Sequence, residues 1–267
     1  MLHEPIHTIT ILGGRDKDGV PEEQELILRS GDIAVVVGPT GSGKSRLLAD
    51  IEYLAQGDTP SGRHILLNGV VPGPEERFGT GFKLIAQLSQ NMNFVLDATV
   101  EEFIRMHAAC MEQWADSPEE TGKLAAQVLE QANRLAGEAF SYHTPLTSLS
   151  GGQSRALMIA DTAILSDCPI VLIDEIENAG IDKRLALEIL IDRQKIVLMA
   201  THDPILALSG HYRLVLGNGA LRQVLRTSAA ELKLLEQLRA ADKQLAHIRQ
   251  MLRTGQRLDG VEGLFSR

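Results

Sequence analysis

Apolar and polar positions change rhythm several times along this chain, and each change predicts a different element. Over the first thirty residues they alternate, in "IHTITIL" and "ELILRS", around the turn-rich insert "GGRDKDGVPEE". A period of two predicts an antiparallel strand pair or small sheet. The run "IAVVV" before Gly38 has no polar break, the pattern of a strand buried on both faces. A helix is predicted through "KSRLLADIEYLAQ", and "SGRHILLNGVV" reads as a second hairpin-like piece. From about Val100 to Ala139 the apolar residues recur at helical spacing and strand signals are absent. This predicts a helical subdomain, about residues 100–160, inserted into an α/β core. "PIVLIDE" and "KIVLMATHD" are further buried strands separated by the helix "KRLALEILIDR". "HYRLVLGNGALRQV" reads as a hairpin with Asn218-Gly219 in its turn.

The last forty residues follow another rhythm. Leu234, Leu238, Ala241, Leu245, Ile248 and Leu252 step by 4, 3, 4, 3 and 4, a seam of about three heptads. Such a helix either packs on its own domain or pairs with a second copy. The division expected is a main domain over residues 1–227 and an amphipathic helical tail over 228–267.

Composition narrows the class. A chain of 267 residues, 44% apolar and 23% charged, has ample core for one large domain with an appendage. Its longest apolar runs are far too short to cross a bilayer, so a membrane role needs a partner that does the spanning. Cys110 and Cys168 lack metal-ligand spacing and are expected to be buried free thiols. With no signal-peptide pattern, the expected location is the cytoplasm, at most peripheral to the membrane's inner face through a partner. A net charge of −9 argues against a broad nucleic-acid surface.

The chemistry is concentrated in a few short segments. "GPTGSGKS", formed by Gly38, Pro39, Thr40, Gly41, Ser42, Gly43, Lys44 and Ser45, matches G-x-x-x-x-G-K-[ST] between a predicted buried strand and a helix. Its glycines let backbone N–H groups turn inward as an anion nest, reinforced by the helix N-terminus. Lys44 can reach β- and γ-phosphates, and Ser45 can coordinate Mg²⁺. A carboxylate must hold that metal and another group must orient water. Asp174 and Glu175, at the end of "IVLIDE", supply both, with Glu175 expected to point opposite to Asp174 by strand alternation. His202 ends the next strand, where a neutral imidazole can contact a γ-phosphate or the water.

The ordered set "GPTGSGKS", "LSQ", "LSGGQ", "IVLIDE" and "MATHD" resembles the ATP-binding cassette (ABC) ATPase family over about residues 5–225. The resemblance implies an α/β fold: a P-loop NTPase core with a mostly parallel sheet, an N-terminal antiparallel β subdomain and an inserted α-helical signature subdomain. It implies that the chain binds and hydrolyses Mg-ATP, with ATP and Mg²⁺ as its cofactors. It makes Leu149 to Gln153 the signature, Gln90 the Q-loop glutamine and a metal contact, His202 the switch histidine, and "NAGID" the D-loop. Gln87 is the weaker Q-loop candidate. It also implies that Ser150, Gly151, Gly152 and Gln153 meet the γ-phosphate held by a second subunit, either the same chain in a head-to-tail homodimer or a paralogous ABC subunit.

The chain departs from the family pattern in three places. No aromatic occurs from Met1 to Val37, where one commonly stacks on adenine near Gly14 and Arg15; Arg15 through its guanidinium plane, or Val20, would have to serve. Arg46 stands where Thr usually follows the phosphate-loop Ser. Ile176 replaces the usual transporter Pro in "DEIENAGID", which is more like the chromosome-maintenance and repair branch, although that branch's long coiled-coil insertion is missing. The leading expectation is a cytoplasmic ATPase subunit that powers a membrane permease, gripped through the helical residues near Gln90. The alternative is a soluble ABC ATPase that remodels or assembles another complex, such as a metalloenzyme.

Overall fold

The computed structural model describes residues 5–79, 83–89, 93–110, 118–175 and 180–257. Its elements run β1 (Thr8–Leu12), β2 (Leu26–Arg29), β3 (Ile33–Val37), α1 (Lys44–Glu52), β4 (His64–Leu67), α2 (Pro74–Phe78), β5 (Ile85–Leu88), α3 (Val100–Cys110) and α4 (Pro118–Leu135). There follow α5 (Gly151–Ile164), β6 (Ile170–Asp174), α6 (Lys183–Asp192), β7 (Ile196–Ala200), α7 (Pro204–Ser209), β8 (Tyr212–Gly217), β9 (Ala220–Arg226) and α8 (Ala229–Arg253). They build two sheets, an antiparallel β2-β1-β4 and a larger β5-β6-β7-β3-β8-β9 that is parallel except for the last pair.

The unbroken apolar runs are explained by what covers the larger sheet. Ile33, Val35, Val171, Ile173, Val197 and Met199 pack with the helical layer that includes α3, α4 and α5. Their alternates Ala34, Val36, Ile170, Leu172, Ile196 and Leu198 pack with Leu47, Leu48 and Ile51 of α1 and with the small sheet. Both faces are therefore buried, and no position on these strands selects a polar side chain except Asp174 at the last position of β6.

Several local expectations needed tertiary correction. "SGRHILLNGVV" is not a separate hairpin: its strand β4 pairs with β1 as the third strand of the small sheet, and only one bridge, Leu67 to Val70, spans its own turn. The first helix stops at Glu52 because Leu54 adopts a left-handed φ of 48°. Cys168 is buried as expected, whereas Cys110, at the end of α3, is exposed. Asn218 and Gly219 do form the β8–β9 turn, with φ of 53° and 88°.

In α8 the residue that seats the helix is Leu235, only 3% exposed, which lies one position off the heptad seam. Leu234, Leu245 and Leu252 on the seam are 47%, 42% and 57% exposed. Leu238, Ala241 and Leu245 border a groove of about 420 Å³ against His202, Pro204 and Ile205. Among the described residues, no helix is long and apolar enough to cross a membrane.

One buried ion cluster joins the two sheets. The Arg63 side chain is 0% exposed and donates from Nε and Nη2 to the Glu22 carboxylate at 2.9 and 3.0 Å. Its Nη1 donates to Asp50 on α1 at 2.9 Å, and Nη2 also reaches the Gly219 carbonyl at 2.8 Å. Bidentate geometry with both partners buried offsets the desolvation of these ions, which would otherwise cost several kcal/mol each. Arg63→Ala should therefore destabilise the fold by about 3–5 kcal/mol, because two carboxylates are left buried without a counter-charge. Denaturant unfolding measures this; a loss under about 1 kcal/mol, as for a solvated pair, would contradict the role assigned to the cluster.

Candidate nucleotide site

The phosphate loop lies between β3 and α1 and is shaped by close packing. Gly43 has φ of 107°, and a Cβ there would sit 2.9 Å from Gly219 Cα. A side chain is thus excluded on both conformational and steric grounds. The loop and the turn are also hydrogen bonded, Gly219 N donating to the Ser42 carbonyl at 2.8 Å. Gly43 is the N-cap of α1 but has no side chain to cap it, and the first turn carries no acidic residue. The free N–H groups and partial positive charge of that end consequently remain available to an anion.

The protein's own groups show how the loop would receive phosphate. Lys44 is buried at 9% exposure, and its ammonium donates to the Gly38 and Pro39 carbonyls at 2.9 and 3.3 Å. Ser42 Oγ is buried with no hydrogen-bond partner. A buried ammonium resting on neutral carbonyls, an orphaned hydroxyl and an uncapped helix end together fit a polyphosphate. Pro39, Thr40, Gly41, Ser45 and Arg46 are exposed around this cradle.

Three strand ends meet in one row beside it. β7 pairs with β3 and with β6, and the registers match Val36 with Ala200 and Ala200 with Asp174. With strands about 4.8 Å apart, Asp174 lies two strands, about 10 Å, from the β3 backbone that leads into the loop. The row is the carboxyl edge of a parallel sheet, where such folds bind ligands. Among the described residues no group of three or more His, Cys, Asp or Glu could hold a metal ion. Mg²⁺ takes one or two protein oxygens and completes its shell with phosphate and water, and Ser45 and Asp174 have the oxygen donors that would serve it.

Glu175 departs from simple alternation. β6 ends at Asp174, and Glu175 turns out of the strand with φ of 50° while its N–H donates to the Ala200 carbonyl at 3.1 Å. A left-handed non-glycine residue costs about 1–3 kcal/mol, and such strain clusters at functional sites. Here it brings Glu175 Oε1 to 3.5 Å from His202 Nε2. Beside His202, Asp203 caps α7 and accepts from Lys183 at the start of α6 at 2.6 Å. Burial pushes the Asp203 pKa up, but the Lys183 ammonium and the backbone N–H groups outweigh it and hold the carboxyl below its ordinary value.

The signature segment lies at the other end of the helical layer. Ser150 caps α5, accepting from Gln153 N at 3.3 Å, while Ser150 N donates to Gln153 Oε1 at 2.9 Å. The capping role is real, yet it does not explain the glycines. A Cβ on Gly151 would meet only the Arg155 guanidinium, at 3.6 Å, so nothing among the described residues requires glycine there. A Cβ on Gly180, in the D-loop segment, would lie 3.9 Å from Gly152 Cα, and Asp182 N donates to the Leu135 carbonyl at 3.0 Å. Gly180 to Asp182 thus run directly against the signature. Gln90, Ile176 and the first D-loop residues lie outside the described residues. Gln87 is on β5, its amide oriented to donate to Glu52 at 3.0 and 3.1 Å.

Sequence reasoning missed Arg63 and Lys17. Arg63 follows a Ser-Gly turn and looks like any surface cation, and nothing local announces partners at positions 22, 50 and 219. Lys17 stands in a charged turn that resembles a solvated loop, yet its Nζ donates to the Gly41 carbonyl at 2.7 Å.

The comparisons show the family to which this fold belongs. A profile of the ABC transporter family matches residues 22–178. An uncharacterized ABC transporter ATP-binding protein of Methanocaldococcus jannaschii is 51% identical over 254 residues, 95% of each chain. Among solved structures, cbiO1 of Clostridium perfringens, described as part of the ABC transporter complex cbiONQ, superposes with TM-score 0.62 at 19% identity over 93% of this chain and 99% of its own. A dimeric ATP-binding cassette in a post-hydrolysis state bound to ADP and Pi superposes with TM-score 0.58 at 23% identity, covering 83% of this chain and 99% of that one. With half its residues shared across nearly the whole length of one relative, this chain belongs to the ABC transporter family and is an ATPase.

Proposed function

We propose that the chain is the nucleotide-binding subunit of a transporter and that it hydrolyses ATP as a head-to-tail pair. The observation that carries the pairing is the N-terminus of α5, where Ser150 and Gly151 are exposed and a Cβ on Gly151 would meet only the Arg155 guanidinium, at 3.6 Å. A helix N-terminus that offers N–H groups to an anion, with a cationic side chain beside it, suits a γ-phosphate held by another copy. In this reading Lys44 and the N–H groups of Gly38 to Ser45 hold the triphosphate of one copy. Ser150, Gly151, Gly152 and Gln153 of the other copy close over it, giving an isologous two-fold assembly.

Within each site Glu175 polarises the attacking water, and His202, 3.5 Å away, orients the carboxylate and the γ-phosphate. Ser45, Asp174 and Gln90 would hold Mg²⁺, which would supply neutralising charge to the phosphates. The closed pair binds ATP better than the open one, so binding and hydrolysis drive a mechanical cycle. The relatives' description as transporter ATP-binding proteins supports a membrane permease as the partner. Val95 and Leu96 before α3, and Met106 on it, are 96%, 42% and 47% exposed, apolar surface suited to such a partner. A cytoplasmic position at the membrane's inner face follows from that partnership.

Glu175→Gln should bind Mg-ATP, hydrolyse it about a hundredfold or more slowly and accumulate as a dimer by light scattering, as when water activation alone is removed. A variant that turns over at the normal rate would remove Glu175 from its role. Gly151→Asp is the complementary variant. It should keep the wild-type melting temperature and the monomer's ATP affinity but lose the dimer, because the added charge faces phosphate; dimerisation as in the wild type would refute the composite site. Recovery of only soluble proteins with the chain from detergent-solubilised membranes would favour a soluble client complex instead.

A further inference from the structure

We propose that Lys17 is a second nucleotide-binding cation of this site, one that ties affinity to the polyphosphate and not to the base. The inference rests on the cassette reading above and deepens it.

Two of the positions from which a base-stacking ring could arise, Gly13 and Gly14, have no room for a side chain. A Cβ on Gly13 would collide with the Glu22 carbonyl, and one on Gly14 with the Ser61 carbonyl. Both collisions involve backbone, which cannot step aside cheaply. Arg15 is turned elsewhere: its Nε lies 3.4 Å from where Gly62 would carry a Cβ. The missing aromatic is therefore a consequence of how the strands approach, and another group must contribute on this flank.

The turn that follows is built to hold one. The Asp16 carboxylate, 4% exposed, accepts from the N–H groups of Asp18 and Val20, both at 2.9 Å, and from Arg222 Nη2 at 2.7 Å. Lys17 N donates to the Asn218 carbonyl at 3.0 Å. The Lys17 stem crosses Gly219, with its Cγ 3.1 Å from the place a Cβ would occupy. Gly219 in turn lies on Gly43, so the turn, the hairpin and the phosphate loop are stacked. Across that stack the Lys17 ammonium rests on the Gly41 carbonyl at 2.7 Å.

Lys17 thus repeats what Lys44 does. Each ammonium is held on neutral carbonyls of the same eight-residue loop, Lys44 on Gly38 and Pro39 and Lys17 on Gly41. A polyphosphate carries formal negative charge, so an ammonium gains a Coulombic attraction to it that a neutral carbonyl does not offer. Lys17 is exposed, so moving its ammonium to phosphate requires little desolvation. A single exposed hydrogen bond adds little to folding, which separates this role from a purely structural tie. Because a lysine is a point charge with no shape to match a ring, ATP and GTP should gain equally.

The test is equilibrium titration of full-length wild type, Lys17→Met, Lys17→Arg and Lys44→Ala with Mg-ATP and Mg-GTP, with melting temperatures measured alongside. Lys17→Met should raise Kd about tenfold, equivalent to about 1.4 kcal/mol, for both nucleotides without a fall in melting temperature. Lys17→Arg should restore most of that loss. Unchanged affinity, a loss confined to one base, or a loss accompanied by a lower melting temperature and not rescued by Arg would overturn the proposal. Lys44→Ala keeps the two readings apart. Wild type that binds nucleotide, loses it in Lys44→Ala and keeps it in Lys17→Met sinks the Lys17 inference alone, whereas wild type that binds neither nucleotide sinks the cassette reading as well.

Discussion

The phosphate loop holds its shape because the β8–β9 turn lies directly on it, and that contact leaves no room for a Cβ on Gly43. Gly43 and Gly219 meet backbone to backbone, and the Gly219 N–H is bonded to Ser42. The turn is fixed in its turn by Arg63, whose guanidinium binds the Gly219 carbonyl while it neutralises Glu22 and Asp50. Glu22 accepts further bonds from Gly14 N, at 3.0 Å, and from Leu221 N. One buried cation therefore connects the small sheet, the helix behind the loop and the hairpin above it. The geometry offered to a triphosphate is set from behind, by groups that never touch it.

The same arrangement accounts for the chain's departure at the base-binding flank. Gly14 is pressed against the Ser61 carbonyl, and Ser61 Oγ donates to Asp50 at 2.7 Å in the same cluster that holds Arg63. A ring at Gly13 or Gly14 would pry open the part of the structure that positions α1. The buried cluster and the absence of a ring at Gly13 and Gly14 are then two sides of one packing solution, on which the proposed shift of recognition from the base toward the phosphates rests. That transfer is consistent with a turn whose Asp16 carboxyl is held below its ordinary value, chiefly by the Val20 N–H and by Arg222.

Much of this was legible in the residues, and what was not had a common cause. The unbroken runs ending at Val37, Asp174 and Ala200 identified three central strands, since burial on both faces leaves a local signature. Gly38 to Ser45, the helical insert and the Asn218-Gly219 turn were legible for the same reason: their chemistry is contained in a few adjacent residues. The partner of β4 was not, because pairing with β1 rather than with its own flank depends on a residue separation that no local pattern encodes. Arg63 and its two carboxylates are separated by 13 and 41 residues and look individually like surface charges. The conformation of Glu175 escaped as well, since alternation presumes a strand that in fact stops one residue earlier.

A last constraint links the two ends of the proposed composite site. The signature helix and the catalytic row share no strand, yet they are joined by one continuous path. Gly180 lies against Gly152, Asp182 caps α6, and Lys183 at the first position of that helix is paired to Asp203 at 2.6 Å. Asp203 follows His202 directly, and His202 faces Glu175. A displacement of the signature by a neighbouring copy would therefore be passed along this chain of contacts toward Glu175, the carboxylate proposed to activate water. The strained backbone of Glu175 is the natural terminus for such a signal, since a residue already held in a sparsely populated conformation needs little energy to change its aim.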